Sequence, residues 1–296
     1  MVAVLGGPTA SGKSGLALAI AEARPITIIN ADASQLYADL RLLSARPSAA
    51  EEALVPHKLF GILDGAEAAT AAHYATLART AIAETLAEGR LPLLVGGTGL
   101  YIEALLHGLA PLPPIDSAIR EAVRALPAAD AAAALAHEDP AMAARLRPSD
   151  TTRLHRALEV IRATGRSLLA WQAAREGGIA ETHDVRGIVL LPPRAALHIA
   201  AEHRLDAMLA GGALEEVAAL IARQLPPDRP VLKALGVASL AAHLAGMIDL
   251  GEARARTLFA TRQYQKRQST WMRGRQSGWL HLETADRQAA RNAVKL

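Results

Sequence analysis

The chain of 296 residues contains no cysteine. That excludes disulfides, thiolate chemistry and Cys-ligated zinc or iron–sulfur centres, and it points to a reducing compartment, the cytoplasm. Aromatic residues make up only 3%, so a core here has to be built from aliphatic side chains. No stretch approaches the roughly 20 uncharged apolar residues that span a bilayer. An apolar run starts at Val2 and leads straight into a glycine-rich loop, which leaves no room for a secretory leader. Internal repeats and segments of disordered composition are also missing. Acids become scarce toward the end. From Arg254 onward, Glu283 and Asp286 stand against ten basic residues: Arg254, Arg256, Arg262, Lys266, Arg267, Arg273, Arg275, Arg287, Arg291 and Lys295. The net charge of the whole chain is only +3. A basic section of this kind suits a polyanionic partner, and a solvated basic helix is the alternative.

What is present is alanine, the best helix former, within a composition that is 51% apolar. A helix-rich α/β protein follows, long enough for one large domain or for a core with a smaller companion. After the run Val2 to Leu5 comes Gly7-Pro8-Thr9-Ala10-Ser11-Gly12-Lys13-Ser14, followed by an alanine- and leucine-rich helical segment, Leu16 to Glu22. Strand, glycine loop and helix are the context in which this spacing means a phosphate-binding loop. Gly7 and Gly12 let successive N–H groups converge on a phosphate, and the helix beginning near Lys13 adds its positive dipole end. Lys13 would neutralise phosphate oxygens, and the Ser14 hydroxyl would ligate Mg²⁺.

The run Pro25 to Asn30 reads as a buried parallel strand. It delivers Asp32 to the carboxyl edge of the sheet, where open α/β sheets bind ligands. There Asp32 would hold Mg²⁺ through water, accept a proton from a nucleophile, or simply cap a helix. Leu40 to Pro56 is loop or short helix, and His57 beside Lys58 reads as structural. Thr70 caps a helix running to about Glu88. A third strand, Leu93 to Val95, opens into Gly96-Gly97-Thr98-Gly99-Leu100-Tyr101, where glycines permit close approach of a ligand and expose the Thr98 hydroxyl.

From Pro111 the β signal disappears. Residues 113–182 read as an all-helical insertion between core segments 1–112 and 183–296, with pieces at Ser117 to Leu126, Ala129 to Glu138, Pro140 to Leu146 and Thr151 to Thr164. The last of these would pack equally well on the core. Within it Arg153 and Arg156, three apart, would point one way, toward phosphate or toward solvent. Val185 to Leu191 reads as the last core strand. Helices follow at Ala195 to Ala210, which carries Arg204, at Ala213 to Arg223, at Ala234 to Leu244 and from Leu250 to about Met272. The last is basic, with Leu258 and Tyr264 facing the core, and Trp271 and Trp279 serve as packing residues or as base-stacking platforms.

Taken together, these stretches resemble one family, the tRNA dimethylallyltransferases or tRNA isopentenyltransferases. The resemblance rests on residues 7–14, Asn-Ala-Asp-x-x-Gln-x-Tyr (30–37), Val-Gly-Gly-Thr-Gly-Leu-Tyr (95–101), Arg-Ala-Leu-Glu-Val (156–160), Thr-Gly-Arg (164–166) and Thr-Arg-Gln-Tyr-x-Lys-Arg-Gln-x-Thr-Trp (261–271). It implies a P-loop NTPase-like parallel sheet flanked by helices. The implied reaction is transfer of a dimethylallyl group from its diphosphate to N6 of the adenosine that follows the anticodon (position 37), with Mg²⁺ as cofactor and no ATP. By the same resemblance Lys13, the loop amides and Arg204 would stabilise the departing diphosphate, Asp32 would be the general base, and Thr98 would contact the target nucleotide. Contacts with tRNA would fall on Asp32, Ala33, Ser34 and Gln35, on Thr98 and Arg120, on Thr152, Arg153, Leu154, His155 and Arg156, and on Lys233, Ala234, Leu235, Gly236, Val237 and Ala238. The insertion would be a clamp on the anticodon stem-loop, and the enzyme a monomer. Ala33 stands where the family usually has Ser, Ser14 where Thr is common, and Val237 where Tyr is frequent. Arg41-Leu42-Leu43-Ser44-Ala45-Arg46-Pro47 replaces a usual Asp-Ile-Gly-Thr-Ala-Lys-Pro. The competing reading is a P-loop kinase that uses ATP on a small molecule or nucleotide.

Overall fold

A computed structural model describes residues 1–294; Lys295, counted above in the basic section, lies outside them. Six parallel strands form one sheet: β1 (Val2–Gly6), β2 (Ile26–Asn30), β3 (His57–Lys58), β4 (Leu91–Gly96), β5 (Val185–Leu190) and β6 (Leu280–Leu282), in the order β3-β2-β4-β1-β5-β6. This is the P-loop NTPase-like sheet expected from the motifs. Strands β1, β2 and β4 are buried along their whole length, which is why they read as unbroken apolar runs rather than alternating ones. Alternate side chains nevertheless go to opposite faces. Val2 and Val4 join one core with Tyr74 and Ile82 of the helix Ala71–Ala87, while Ala3 and Leu5 join another with Leu16 and Ile20 of the helix Lys13–Ala21.

Because all strands run parallel, their carboxyl ends share an edge. Gly6 pairs with Gly96 and Asn30 with Val95, so the segments that carry Lys13, Asp32 and Thr98 leave the sheet side by side. Two strands were not foreseen. β5 is not the last, because β6 pairs beside it, and β3 adds a two-residue edge beyond β2. The helix Arg287–Ala293 follows and packs on the helix Lys13–Ala21.

The chain divides into two compact units, one comprising Met1–Leu106 with Ile179–Leu296 and the other His107–Gly178. The second unit thus starts and ends a few residues before the limits 113 and 182 read from the sequence. It has its own core, in which Val123, Leu135, Leu154 and Leu158 are buried. The helix Thr151–Thr164 packs within this unit, against Ser117–Arg124 and Ala128–Glu138. Its Glu159 carboxylate is only 3% exposed and is held by Arg124 (3.1 Å) and Arg156 (3.2 Å). Such double pairing is what permits a buried carboxylate. Among the described residues, no helix is long and apolar enough to cross a membrane.

Candidate active site

The loop after β1 turns through Gly12, whose φ of 92° is a left-handed conformation that glycine adopts without strain. Lys13 opens the helix Lys13–Ala21 and donates from Nζ to the Pro8 carbonyl at 2.8 Å, which folds its side chain back over the loop. The amides of Gly12, Lys13 and Ser14 have no protein acceptor among the described residues. They are the orphan donors of a helix N-terminus, in position to take an anion.

Asp32 follows β2. Ser34 donates to its Oδ1 twice, from the backbone N at 3.0 Å and from Oγ at 2.7 Å. These bonds anchor one carboxylate oxygen and leave Oδ2 as a free acceptor. Asn30 fixes the backbone beneath it, accepting from the Asp32 amide at 2.8 Å and donating to the Asp32 carbonyl at 2.9 Å. Thr98 follows β4. Its amide donates to the Ala31 carbonyl at 3.2 Å, and its Oγ1 accepts from the Ala33 amide at 2.9 Å, so the β2 and β4 exits are stitched together at the site.

Arg204, on the helix Arg194–Ala210, joins Lys13, Ser14 and Asp32 around one crevice of about 390 Å³. Burial pulls the Lys13 ammonium down to about 8; Asp32 opposes that fall and Arg204 adds to it. Burial also lowers Arg204, with Asp32 acting in the opposite direction. Two poorly hydrated cations facing one carboxylate leave an excess of positive charge, and Arg204 has no hydrogen bond or ion pair of its own among the described residues. The crevice is therefore electrostatically incomplete until an anion enters it.

A bound diphosphate favours the Lys13 ammonium, so above pH 8 binding has to take up a proton. Affinity for inorganic pyrophosphate should thus be insensitive to Lys13 below that pH and fall, by at most about tenfold per unit, as pH rises above it. Calorimetry between pH 7 and 9.5 checks this, and a flat profile would contradict it.

Much of the scarce aromatic content gathers here. Tyr37, Tyr101 and Tyr264 line the crevice, and Tyr74 stacks behind Tyr101 with ring centroids 4.2 Å apart. Tyr264 is thus a half-buried wall residue rather than the core residue expected; Leu258 is buried. Trp271 and Trp279 are partly buried against the sheet core, the packing alternative. The loop at 43–45 also lines the crevice. Glu216 holds it by accepting from the amides of Arg41, Leu42 and Leu43. Gln35 donates from Nε2 to the carbonyls of Ser44 (3.0 Å) and Ala45 (2.7 Å), so its amide hydrogens are taken up by this loop.

Several residues expected to touch RNA sit elsewhere. Val237 and Leu154 are each 2% exposed and Gly236 is buried, so all three are packed in the interior rather than presented at the surface. Arg153 and Arg156 do not share a free charged face, since Arg153 pairs with Asp150 and Arg156 with Glu159. His155 is half-buried, its Nε2 lying 3.1 Å from the Leu126 carbonyl. Arg120 is half-buried, while Thr152 and Ala238 are exposed. Lys233, Ala234 and Leu235, with Ala33, line the crevice itself. Of the basic C-terminal residues, Arg254, Arg256, Arg262 and Arg291 pair with Asp206, Glu252, Glu202 and Glu22. Lys266, Arg267, Arg273 and Arg275 remain exposed without an ion pair among the described residues.

Two residues at the site gave no signal by themselves. Gln265 and Gln268, buried on the helix Leu250–Arg275, bracket the backbone of Thr9. Gln268 Oε1 accepts from its amide at 2.8 Å, and Gln265 Nε2 donates to its carbonyl at 3.0 Å. Gln265 also donates to the Leu197 carbonyl at 3.0 Å, tying the phosphate loop to the helix that carries Arg204.

A phosphate-loop motif at the edge of a parallel sheet, with a carboxylate facing its lysine, is the architecture of P-loop enzymes of group transfer. The model of the IPP transferase family matches residues 35–275, and that of isopentenyl transferase matches residues 1–57. The chain belongs to the IPP transferase family. A tRNA dimethylallyltransferase of Sphingopyxis alaskensis is 58% identical over 273 residues, covering 92% of this chain and 89% of the relative. One of Erythrobacter litoralis is 50% identical, covering 96% and 92%. Among solved structures, the full-length tRNA isopentenylpyrophosphate transferase of Bacillus halodurans superposes with a TM-score of 0.72 at 29% identity, covering 98% of this chain and 94% of that one. A eukaryotic dimethylallyltransferase acting on tRNA shares the fold, with a TM-score of 0.79 at 24% identity over 92% of this chain and 69% of that one.

Proposed function

We propose that the protein transfers a dimethylallyl group from dimethylallyl diphosphate to N6 of the adenosine following the anticodon in tRNA. The observation that carries this reading is the opposition, within one crevice, of the Lys13–Arg204 cations and the free Oδ2 of Asp32. An allylic C–O bond breaks as the N6–C bond forms. The bond electrons leave with the diphosphate, which the amides of Gly12 to Ser14, Lys13 and Arg204 stabilise as charge builds on it. Asp32 takes the proton that N6 loses. Thr98, one hydrogen bond from the segment that carries Asp32, contacts the nucleotide, which has to leave its stack to enter the crevice.

The site also fits Mg²⁺. Among the described residues no cluster of three or more acidic or histidine side chains could cage a metal, while Ser14 presents an exposed hydroxyl at the crevice. A hard cation that keeps its waters and binds chiefly through substrate phosphates needs no more from the protein than that. When bound, Mg²⁺ supplies further neutralisation of the leaving diphosphate. RNA contacts are assigned to the crevice rim at Lys233 to Leu235, to exposed Lys266, Arg267, Arg273 and Arg275, and to Arg120 and Thr152 of the helical unit.

Incubation with unmodified tRNA and either dimethylallyl diphosphate or ATP separates this reading from a kinase. Pyrophosphate release with the allylic substrate, and no tRNA-dependent turnover of ATP, is the expected result. ATP consumption without alkylation would overturn it.

A further inference from the structure

The buried face of the helix Leu250–Arg275 carries two glutamines, Gln265 and Gln268, which are 2% and 4% exposed and share one side of the helix. Between their amides lies a single residue of the phosphate loop, Thr9. Gln268 Oε1 accepts from the Thr9 amide at 2.8 Å, and the carbonyl of that same peptide unit, on Pro8, accepts from the Lys13 ammonium at 2.8 Å. Peptide groups are planar, so the bond to Gln268 also sets the carbonyl on which the ammonium rests. The next peptide unit is held by Gln265, whose Nε2 donates to the Thr9 carbonyl at 3.0 Å. Ala10 follows with a φ of 63°, a left-handed conformation that a residue with a Cβ keeps only where its surroundings enforce it. The two bonds on Thr9 are such surroundings.

The second Nε2 hydrogen of Gln265 goes to the Leu197 carbonyl at 3.0 Å. Leu197 lies two turns before Arg204 on the helix Arg194–Ala210 and on the same face of it. With two carbonyl acceptors, the nitrogen and oxygen of this amide cannot exchange places. Its Oε1 is buried without a partner among the described residues, a cost that packing alone gives no reason to keep. Arg204 has no hydrogen bond or ion pair among the described residues, so the position of its guanidinium follows that of its helix.

We propose that Gln265 and Gln268 are positioning residues that set the two cations of the crevice at the separation a diphosphate needs. Gln268 seats Lys13 through the Pro8–Thr9 peptide, and Gln265 ties the phosphate loop to the helix of Arg204. Donors misplaced by roughly an ångström forfeit much of what they give a developing charge. The bonds to Thr9 fix the spacing before substrate arrives.

This inference rests on the reading of Lys13 and Arg204 as the diphosphate clamp, and pyrophosphate binding on two backgrounds tests the two separately. Gln265→Met should weaken inorganic pyrophosphate, measured calorimetrically with Mg²⁺, about tenfold, with tRNA affinity changed by no more than about twofold. Gln265→Asn, which keeps the amide but is too short to span both carbonyls, should show the same loss. Because Gln265 acts through the place of Arg204, its effect should shrink to about twofold or less in Arg204→Met. Gln268→Met, acting through Lys13, should weaken pyrophosphate about tenfold on both backgrounds. The thermal midpoint of Gln265→Met should stay near that of the parent, since a partnerless buried oxygen leaves together with the donors. Parent-like pyrophosphate affinity in any of the three variants, a full tenfold effect of Gln265→Met on Arg204→Met, or loss of the Gln268→Met effect there would overturn the inference. So would a midpoint, tRNA affinity and pyrophosphate affinity that fall together in Gln265→Met, which is the mark of lost packing. Parent-like pyrophosphate affinity in Arg204→Met alone would instead overturn the role of Arg204 itself.

Discussion

Replacing Asp32 by asparagine should lower turnover by a factor of about 10² or more, the usual loss when a positioned base is removed, while tRNA still binds. The substitution is conservative where the structure depends on the side chain, because an amide oxygen can still accept both hydrogen bonds from Ser34. What it removes is the free carboxylate oxygen and the one negative charge that, among the described residues, acts on both Lys13 and Arg204. Inorganic pyrophosphate should consequently bind more tightly to Asp32→Asn than to the parent, since the cations lose their internal counter-charge. Opposite signs for turnover and pyrophosphate affinity are the signature of a base. Equal weakening of both would mark Asp32 as structural, and near-normal turnover would remove it from the mechanism.

The second large effect falls on Arg204. Arg204→Met should reduce kcat by about 10² to 10³, the range for loss of one preorganised donor to a developing anion, and should weaken pyrophosphate binding. Its stability should move the other way. The guanidinium has burial working against its charge and no hydrogen bond or ion pair among the described residues to compensate, so a methionine of similar length relieves a desolvation penalty. A thermal midpoint at or above that of the parent, together with crippled turnover, is therefore expected. A midpoint that falls with activity would show that Arg204 works mainly by holding its helix in place.

The parts of this site that sequence made legible are those that depend on local chain geometry. A buried strand, a glycine turn and a helix start are specified within a dozen residues, which is why the sequence alone places the phosphate loop, Asp32 and the Gly-Gly-Thr-Gly turn on one sheet edge. The strands β3 and β6 were invisible because two or three residues, His57–Lys58 and the half-exposed Leu280–Leu282, carry no periodicity. Only pairing to a neighbour makes them strands. The helix Leu250–Arg275 was recognised, but its inner face was misassigned. Hydrophobic periodicity finds buried faces made of leucine and valine, and this one interleaves Thr257, Thr261, Gln265, Gln268 and Ser269 with Ala253, Leu258 and Met272. Gln265 and Gln268 carry no such periodic signal, and Tyr264, expected to face the core, lines the crevice instead. Charge pairing was equally hidden. Arg156, Arg254 and Arg262 look free in sequence, and each meets an acid on another turn or another helix.

The roles proposed for Lys13, Asp32 and Arg204 all depend on the phosphate loop holding a leaving diphosphate rather than a phosphoryl donor. Mass analysis of the nucleosides of unmodified tRNA, after incubation with the protein, dimethylallyl diphosphate and Mg²⁺, tests it most directly. An adenosine heavier by one five-carbon unit, formed without ATP, is the predicted result. Unaltered adenosine alongside tRNA-dependent hydrolysis of ATP would contradict it.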